Sequence, residues 1–255
     1  MAIFPGSAIP SAVSDYEIDN SLRFDDGDSA YLSRTPSAQG SLRKMTFSVW
    51  VKKTENTGGT TFQWILHSGE ADGDPAFGIG FRGDSLVVID LESSYKIQLY
   101  STPVYRDPSS WYHVCIGIDT EQGVAANRVK CYINGVQVTV FSTETYPAED
   151  ADLGGINKTT FAMEIGRDNY GGGAAFWDGY LAEAYFIDGT QLAPSSFGEL
   201  DSDTNQWKPL DSDTVKAAVT FGTNGFFQKY NSTELATSFA DAVKYTATSI
   251  TATGS

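Results

Sequence analysis

The sequence predicts an all-β protein, a sandwich or barrel of short antiparallel strands. Three observations carry this expectation. Strand-like segments recur at regular spacing with turn residues between them. No helical pattern intervenes that would cover a parallel sheet. The chain also combines 25 glycines with 41% hydrophobic and 13% aromatic residues, enough apolar surface for a sizeable core. Its 255 residues suit one large domain as well as two small ones.

The elements follow in order. Residues 1–20 read as an extended N-terminal arm, because Pro5 and Pro10 exclude helix. Ile3, Phe4, Ile9 and Val13 give the arm apolar side chains to bury, either on a neighbouring subunit or as an edge strand on its own domain. Leu22-Arg23-Phe24 runs into the turn Asp25-Asp26-Gly27-Asp28 and then Ala30-Tyr31-Leu32. In Met45 to Val51 the residues alternate, with Met45, Phe47, Val49 and Val51 on one face and Thr46, Ser48 and Trp50 on the other. Further strands are expected at Phe62 to His67, at Ala76 to Phe81 and Ser85 to Leu91 about the turn Arg82-Gly83-Asp84, and at Lys96 to Tyr100. Trp111 to Asp119 and Arg128 to Asn134 are the clearest, and Asn134-Gly135 signals a hairpin into Val136 to Phe141. Phe161 to Gly166 and Trp177 to Ile187 complete the series. A short helix is expected at Ala193 to Leu200, where Pro194 stands at its start. The motif LDSDT occurs at 200–204 and again at 210–214, and Val215 to Tyr230 reads as strand with turns at Gly222 and Asn224-Gly225. The tail, 231–255, is rich in Thr, Ser and Ala and reads as weak strands or a second extended arm.

Charge removes some function classes. The formal net charge is −15, so the chain offers no basic footprint for phosphate backbones, and nucleic acid is not an expected partner. From Glu144 to Asp213 fourteen acidic residues face three basic ones, which reads as a solvated surface. No apolar run approaches the ~20 residues of a membrane span, so no insertion is expected. The N-terminus lacks a basic region ahead of its apolar residues and is broken by prolines, so it does not read as a signal peptide. Cys115 and Cys131 fall on neighbouring strands and are expected to be free, packed thiols rather than a disulfide.

Four segments carry a family resemblance. SLRFDDGDSAYLSRT (21–35), MTFSVWVKK (45–53) and WYHVCIGIDT with NRVKCYINGVQV (111–138) resemble the opening, central and paired strands of laminin-G-like, concanavalin A-like domains. GYLAEAYFIDGTQLAPSSFGELDSDTNQWKPL (179–210) is similar to laminin-G-like structural proteins of tailed bacteriophages, notably those of marine cyanobacteria. The resemblance implies a two-sheet antiparallel jelly-roll sandwich over 21–230. It further implies a virion protein made in the host cytoplasm, a capsid decoration or cement protein or a small fibre tip. Its expected partners are other virion proteins, further copies of itself in a homo-oligomer, and a host-surface glycan. Ile3, Phe4, Pro5, Ile9, Pro10 and Val13 would form the assembly arm. The alternatives are a carbohydrate-binding adhesin of the tail and a glycoside hydrolase.

No catalytic residue is expected. Asp90 and Glu92 are spaced for one sheet face, but Val88 stands where a third carboxylate belongs, and Glu17 and Asp19 also lack a third member. The two histidines, His67 and His113, sit without a nucleophile elbow or a metal-binding motif. A glycan site needs aromatic faces beside polar groups on loops, and Tyr170 with Asp168 and Asn169 is the best match, ahead of Tyr105 and Tyr146. Trp50, Trp111 and Trp177 read as packing. No cofactor is expected. Structural calcium remains open because laminin-G-like domains often hold it at the sandwich rim. Asp168 and Asp178 are the leading ligands here, beside a second group of Asp25, Asp26 and Asp28. A third group, Asp201, Asp203 and Asn205, opens like a calcium loop, but Gln206 and Ser212 stand where its Gly and Glu belong.

Overall fold

The computed structural model describes residues 16–55, 59–168 and 175–231, together with the backbone of 251–253. The arm residues Ile3 to Val13, and Asn169 and Tyr170, lie outside this set.

The strands are β1 (Leu22–Phe24), β2 (Tyr31–Arg34), β3 (Lys44–Lys53), β4 (Phe62–Gly69), β5 (Ala76–Arg82), β6 (Ser85–Glu92), β7 (Ser94–Val104) and β8 (Tyr112–Asp119). A single helical turn, α1 (Ala125–Arg128), leads to β9 (Val129–Ile133), β10 (Val136–Val138), β11 (Phe141–Thr145), β12 (Met163–Ile165) and β13 (Gly179–Asp188). The chain then makes a 3-10 turn at Pro194–Ser196, a small hairpin of β14 (Gly198–Leu200) and β15 (Trp207–Pro209), α2 (Ser212–Ala218), β16 (Phe226–Gln228) and β17 (Thr251–Thr253).

Two antiparallel sheets stack as a jelly-roll sandwich. The first runs β1-β13-β3-β8-β9-β10, with β16 also on β13. The second runs β11-β7-β6-β5-β4-β12-β2-β17. The alternation read in β3 sets the layering. Met45, Phe47, Val49 and Val51 meet Phe77, Ile79, Phe81 and Leu99 in the central core, and Trp50 faces outward from the first sheet. Trp177 is fully buried in that core against Phe81. Asn134 and Gly135 take φ of 49° and 75°, so both central residues of the hairpin are left-handed, as its tight turn needs.

β13 departs from simple alternation. Its register on β3 passes from Ala182 opposite Trp50 to Tyr185 opposite Ser48, so one extra residue enters β13. Glu183 adopts φ 44° there. The bulge reverses which parity faces inward. Leu181 lies in the core before it, and Ala184 and Phe186 lie there after it. It also divides the strand's free edge between β1, on residues 179–181, and β16, on residues 184–186.

The segment after β13 covers the outer face of the first sheet with a second core, where Phe197, Val215, Phe221 and Phe227 pack on Cys115, Tyr185 and Ile187. The expected helix at 193–200 is only the 3-10 turn at its start, because Gly198 to Leu200 pair with Trp207 to Pro209. The two LDSDT motifs make the same cap and then diverge. Asp201 accepts from the amide of Thr204 at 2.8 Å, and Asp211 accepts from that of Thr214 at 2.9 Å. The first motif runs into Asn205, at φ 56°, and a strand ending on Pro209. The second runs into Val-Lys-Ala-Ala, which propagates α2 where strand was expected.

The cysteines lie on opposite faces. Cys131 pairs with Ile116 and Cys115 with Tyr132, a slip of one residue that puts one thiol in each core. Both are free and buried.

At one end of the sandwich Asp188 gathers four segments. Its carboxylate accepts from the amide of Ser41 at 2.8 Å, from Asn157 Nδ2 at 2.7 Å and from the amide of Asn224 at 3.0 Å. Asn224 Nδ2 in turn donates to Asn157 Oδ1 at 2.8 Å, and Arg34 donates to the Asn224 carbonyl at 2.8 Å.

Candidate functional site

The outer face of the first sheet carries a ladder of rings. Trp50 on β3, His113 on β8 and Trp207 on β15 lie side by side, with ring centroids 5.1 Å apart between Trp50 and His113 and 5.9 Å between His113 and Trp207. His113 is fully buried, and burial pushes its pKa down to about 3, so it is neutral. The indole N–H of Trp207 donates to His113 Nδ1 at 3.0 Å. Nε2 therefore carries the imidazole proton and donates to Ser48 Oγ at 2.8 Å. His113 thus bonds one indole, Trp207, and packs against the other, Trp50. Trp207 reaches the ladder because Gly135 and Gly198 leave room: a Cβ on either would stand 2.4 or 2.7 Å from its ring.

These rings open into a cleft of about 440 Å³. Trp50 and Ala182 contribute from adjacent strands, Trp111 stands just ahead of β8 and is 37% exposed, and Trp207, Lys208 and Pro209 line the cleft with them. The chain run 16–21 also lines the cleft, with Glu17, Asp19, Asn20 and Ser21 offering polar groups. Tyr16 ties that run down. Its hydroxyl bonds to Glu183 Oε1 in the β13 bulge and to Ser212 Oγ, the latter at 3.0 Å. Glu183 is buried, and this desolvation lifts its pKa to about 7, while the Tyr16 hydroxyl and Lys229 oppose the rise. Three indoles beside hydroxyl, amide and carboxylate groups suit an amphipathic ligand that stacks one face and hydrogen-bonds at its edge.

The rim at the far end holds the acidic side chains. Asp25, Asp26 and Asp178 bring carboxylate oxygens within 4.8 Å of one another. Oxygen donors are the type a hard cation takes, and three side chains fill part of the about six to eight positions it needs. Asp25 already accepts from the Gly27 amide at 3.1 Å and pairs with Arg23 at 2.8 Å, and Asp178 accepts from Thr54 Oγ1. Asp168 stands nearby, lining a separate cavity of about 550 Å³ with Asp26, Glu55 and Gln63, and it accepts from the Ala175 amide at 2.8 Å. Asp178 therefore groups with Asp25 and Asp26. The Asp201 loop is closed by its own turn and by Lys208 at 3.2 Å.

The other candidates make contacts within the fold. Tyr105 packs on the core against Phe81 and Tyr112, and burial raises its pKa to about 12. Tyr146 is half-buried against the same core. Asp90 is wholly buried and accepts from the amides of Gly154 and Gly155 at 3.0 and 3.2 Å. Glu92 pairs with Lys96 and Lys158. The reading of Trp50 and Trp111 as mere packing is incomplete, since both line the cleft.

A family model described as the concanavalin A-like lectin/glucanases superfamily, of the laminin-G type, matches residues 25–193. The chain belongs to this superfamily. No curated protein matches it. Among solved structures, the concanavalin A-like chain is similar to a native heptameric SAP-like pentraxin from Limulus polyphemus, at 18% identity over 70% of this chain and 80% of that one, with a TM-score of 0.48. It is similar to a putative carbohydrate binding protein from Bacteroides ovatus at 14% identity, over 82% of this chain and 50% of that one, TM-score 0.49. It is also similar to tailspike protein 2 of an Escherichia coli O157:H7 bacteriophage at 12% identity, over 69% of this chain and 23% of that one, TM-score 0.47.

Proposed function

We propose that this protein is a non-enzymatic surface protein of a phage particle that holds a sugar ring in the cleft of Trp50, Trp111 and Trp207. One observation carries the glycan reading: three indoles meet a polar wall in a cleft of about 440 Å³. Pyranose rings offer a C–H face to stack on indole and a hydroxyl edge to bond to Asp, Glu, Asn and Ser. The superfamily of the chain is named for lectins and glucanases, and the binding branch fits the geometry better. The acids among the described lining residues, Glu17 and Asp19, are both exposed, so neither has the buried setting that raises a carboxyl for general-acid work. Glu183 lies beneath Tyr16, held by two tyrosine hydroxyls. The particle setting rests on the resemblance of residues 179–210 to phage structural proteins. The apolar arm, Ile3 to Val13, is assigned to docking on a virion neighbour or a second copy.

Trp111→Ala tests the site. The ring is partly exposed, so the fold should keep its melting temperature while binding on a glycan array weakens about tenfold. Unchanged binding by the folded variant would remove the cleft assignment. Immunodetection on purified particles tests the setting, and absence of the chain from them would refute it.

A further inference from the structure

We infer that the cleft selects by charge, accepting uncharged sugar rings and rejecting glycans that carry carboxylate or sulfate. The inference rests on the glycan reading above and names the class of ligand. Glu17 and Asp19 are both exposed on the 16–21 side. Lys208 is the cation among the described lining residues, and its ammonium lies 3.2 Å from Asp201 and 3.7 Å from Glu199. Its charge is therefore spent on two acids of its own hairpin. The described lining residues therefore carry two carboxylates, Glu17 and Asp19, against one ammonium already paired with other acids. A carboxylate or sulfate entering the cleft meets like charge from Glu17 and Asp19, a repulsion that salt screens because both are exposed. A neutral ring meets the same carboxylates as acceptors for its hydroxyls, with Asn20 and Ser21 as further partners.

The test uses the full chain on an array of neutral glucans, galactans and mannans beside uronate, sialylated and sulfated glycans. Neutral members should bind at least tenfold more tightly than acidic members of matched length at low ionic strength. In the double variant Glu17→Gln, Asp19→Asn the ratio of neutral to acidic binding should fall about tenfold. A salt titration on the unaltered protein gives a second readout, since the gap should shrink as the screening length falls from about 10 Å at 0.1 M to about 3 Å at 1 M. Acidic glycans binding as well as neutral ones, or a ratio insensitive to both the variant and salt, would overturn the charge selection while leaving the glycan site standing. Failure of every glycan to bind would instead sink the glycan reading, and this inference with it.

Discussion

Replacing Asp188 by alanine should be among the most damaging single changes in the sandwich. Its carboxylate accepts from three donors, the Ser41 amide, Asn157 Nδ2 and the Asn224 amide, at 2.7 to 3.0 Å. Hydrogen bonds to a charged acceptor contribute about 1.5–3 kcal/mol each, and those sharing one acceptor do not add fully. The change also removes a countercharge. Arg34 is buried, and desolvation pulls its pKa down to about 9 while the Asp188 charge resists that fall. With three such bonds lost in a buried junction and incomplete additivity, Asp188→Ala should lose about 4 kcal/mol. That is a large share of the roughly 5–15 kcal/mol that holds a domain together. Asp188→Asn keeps the volume and one acceptor, and about 2 kcal/mol is expected. Urea unfolding followed by fluorescence of the five tryptophans reads both values. An alanine variant within about 1 kcal/mol of the parent would mean that water replaces the carboxylate and that the junction is not a fastening.

Two further predictions concern protons and thiols. Burial raises Glu183 from 4.5 to about 7, so between those pH values the native state keeps a proton that the unfolded chain releases, and stability should fall as pH rises through that window. Glu183→Gln should remove up to about 3 kcal/mol of that fall, and equal slopes for variant and parent would refute the assignment. Asp90, raised to about 6 by burial, acts in the same direction in both proteins and cancels in the comparison. Cys131 is pushed up to about 12 and Cys115 also upward, each by burial, so a thiol reagent at pH 8 should label neither until the chain is unfolded, and fast labelling of the native protein would contradict the packing.

Much of the scaffold was legible from residues near one another in the chain. Alternation from Met45 to Val51 announced a strand with one core face, and Asn134-Gly135 announced a hairpin. The cleft was not legible, for a physical reason. Trp50, Trp111 and Trp207 come from three separate elements, and Trp207 sits in a short hairpin without periodicity to mark it. Sequence alone gives each indole the same default, to pack. Only the pairing of β3 with β8 puts Trp50 beside His113, and only Gly135 and Gly198 let Trp207 approach. The β13 bulge misleads in a similar way, because a strict period of two carried past Ala182 assigns Tyr185 and Phe186 to the wrong faces. The tail motif failed for want of context, since its five residues cap both a hairpin loop and a helix.

The cleft is built partly from residues outside the segment that the family model matches. The superfamily match spans 25–193, whereas residues 16–21 and 207–209 lie beyond it at either end. The matched sandwich therefore supplies Trp50, Trp111 and Ala182, and the flanking runs supply the rest of the lining. Changes in those runs would alter the lining of the cleft while leaving the inward-facing side chains of β3 and β13 in place.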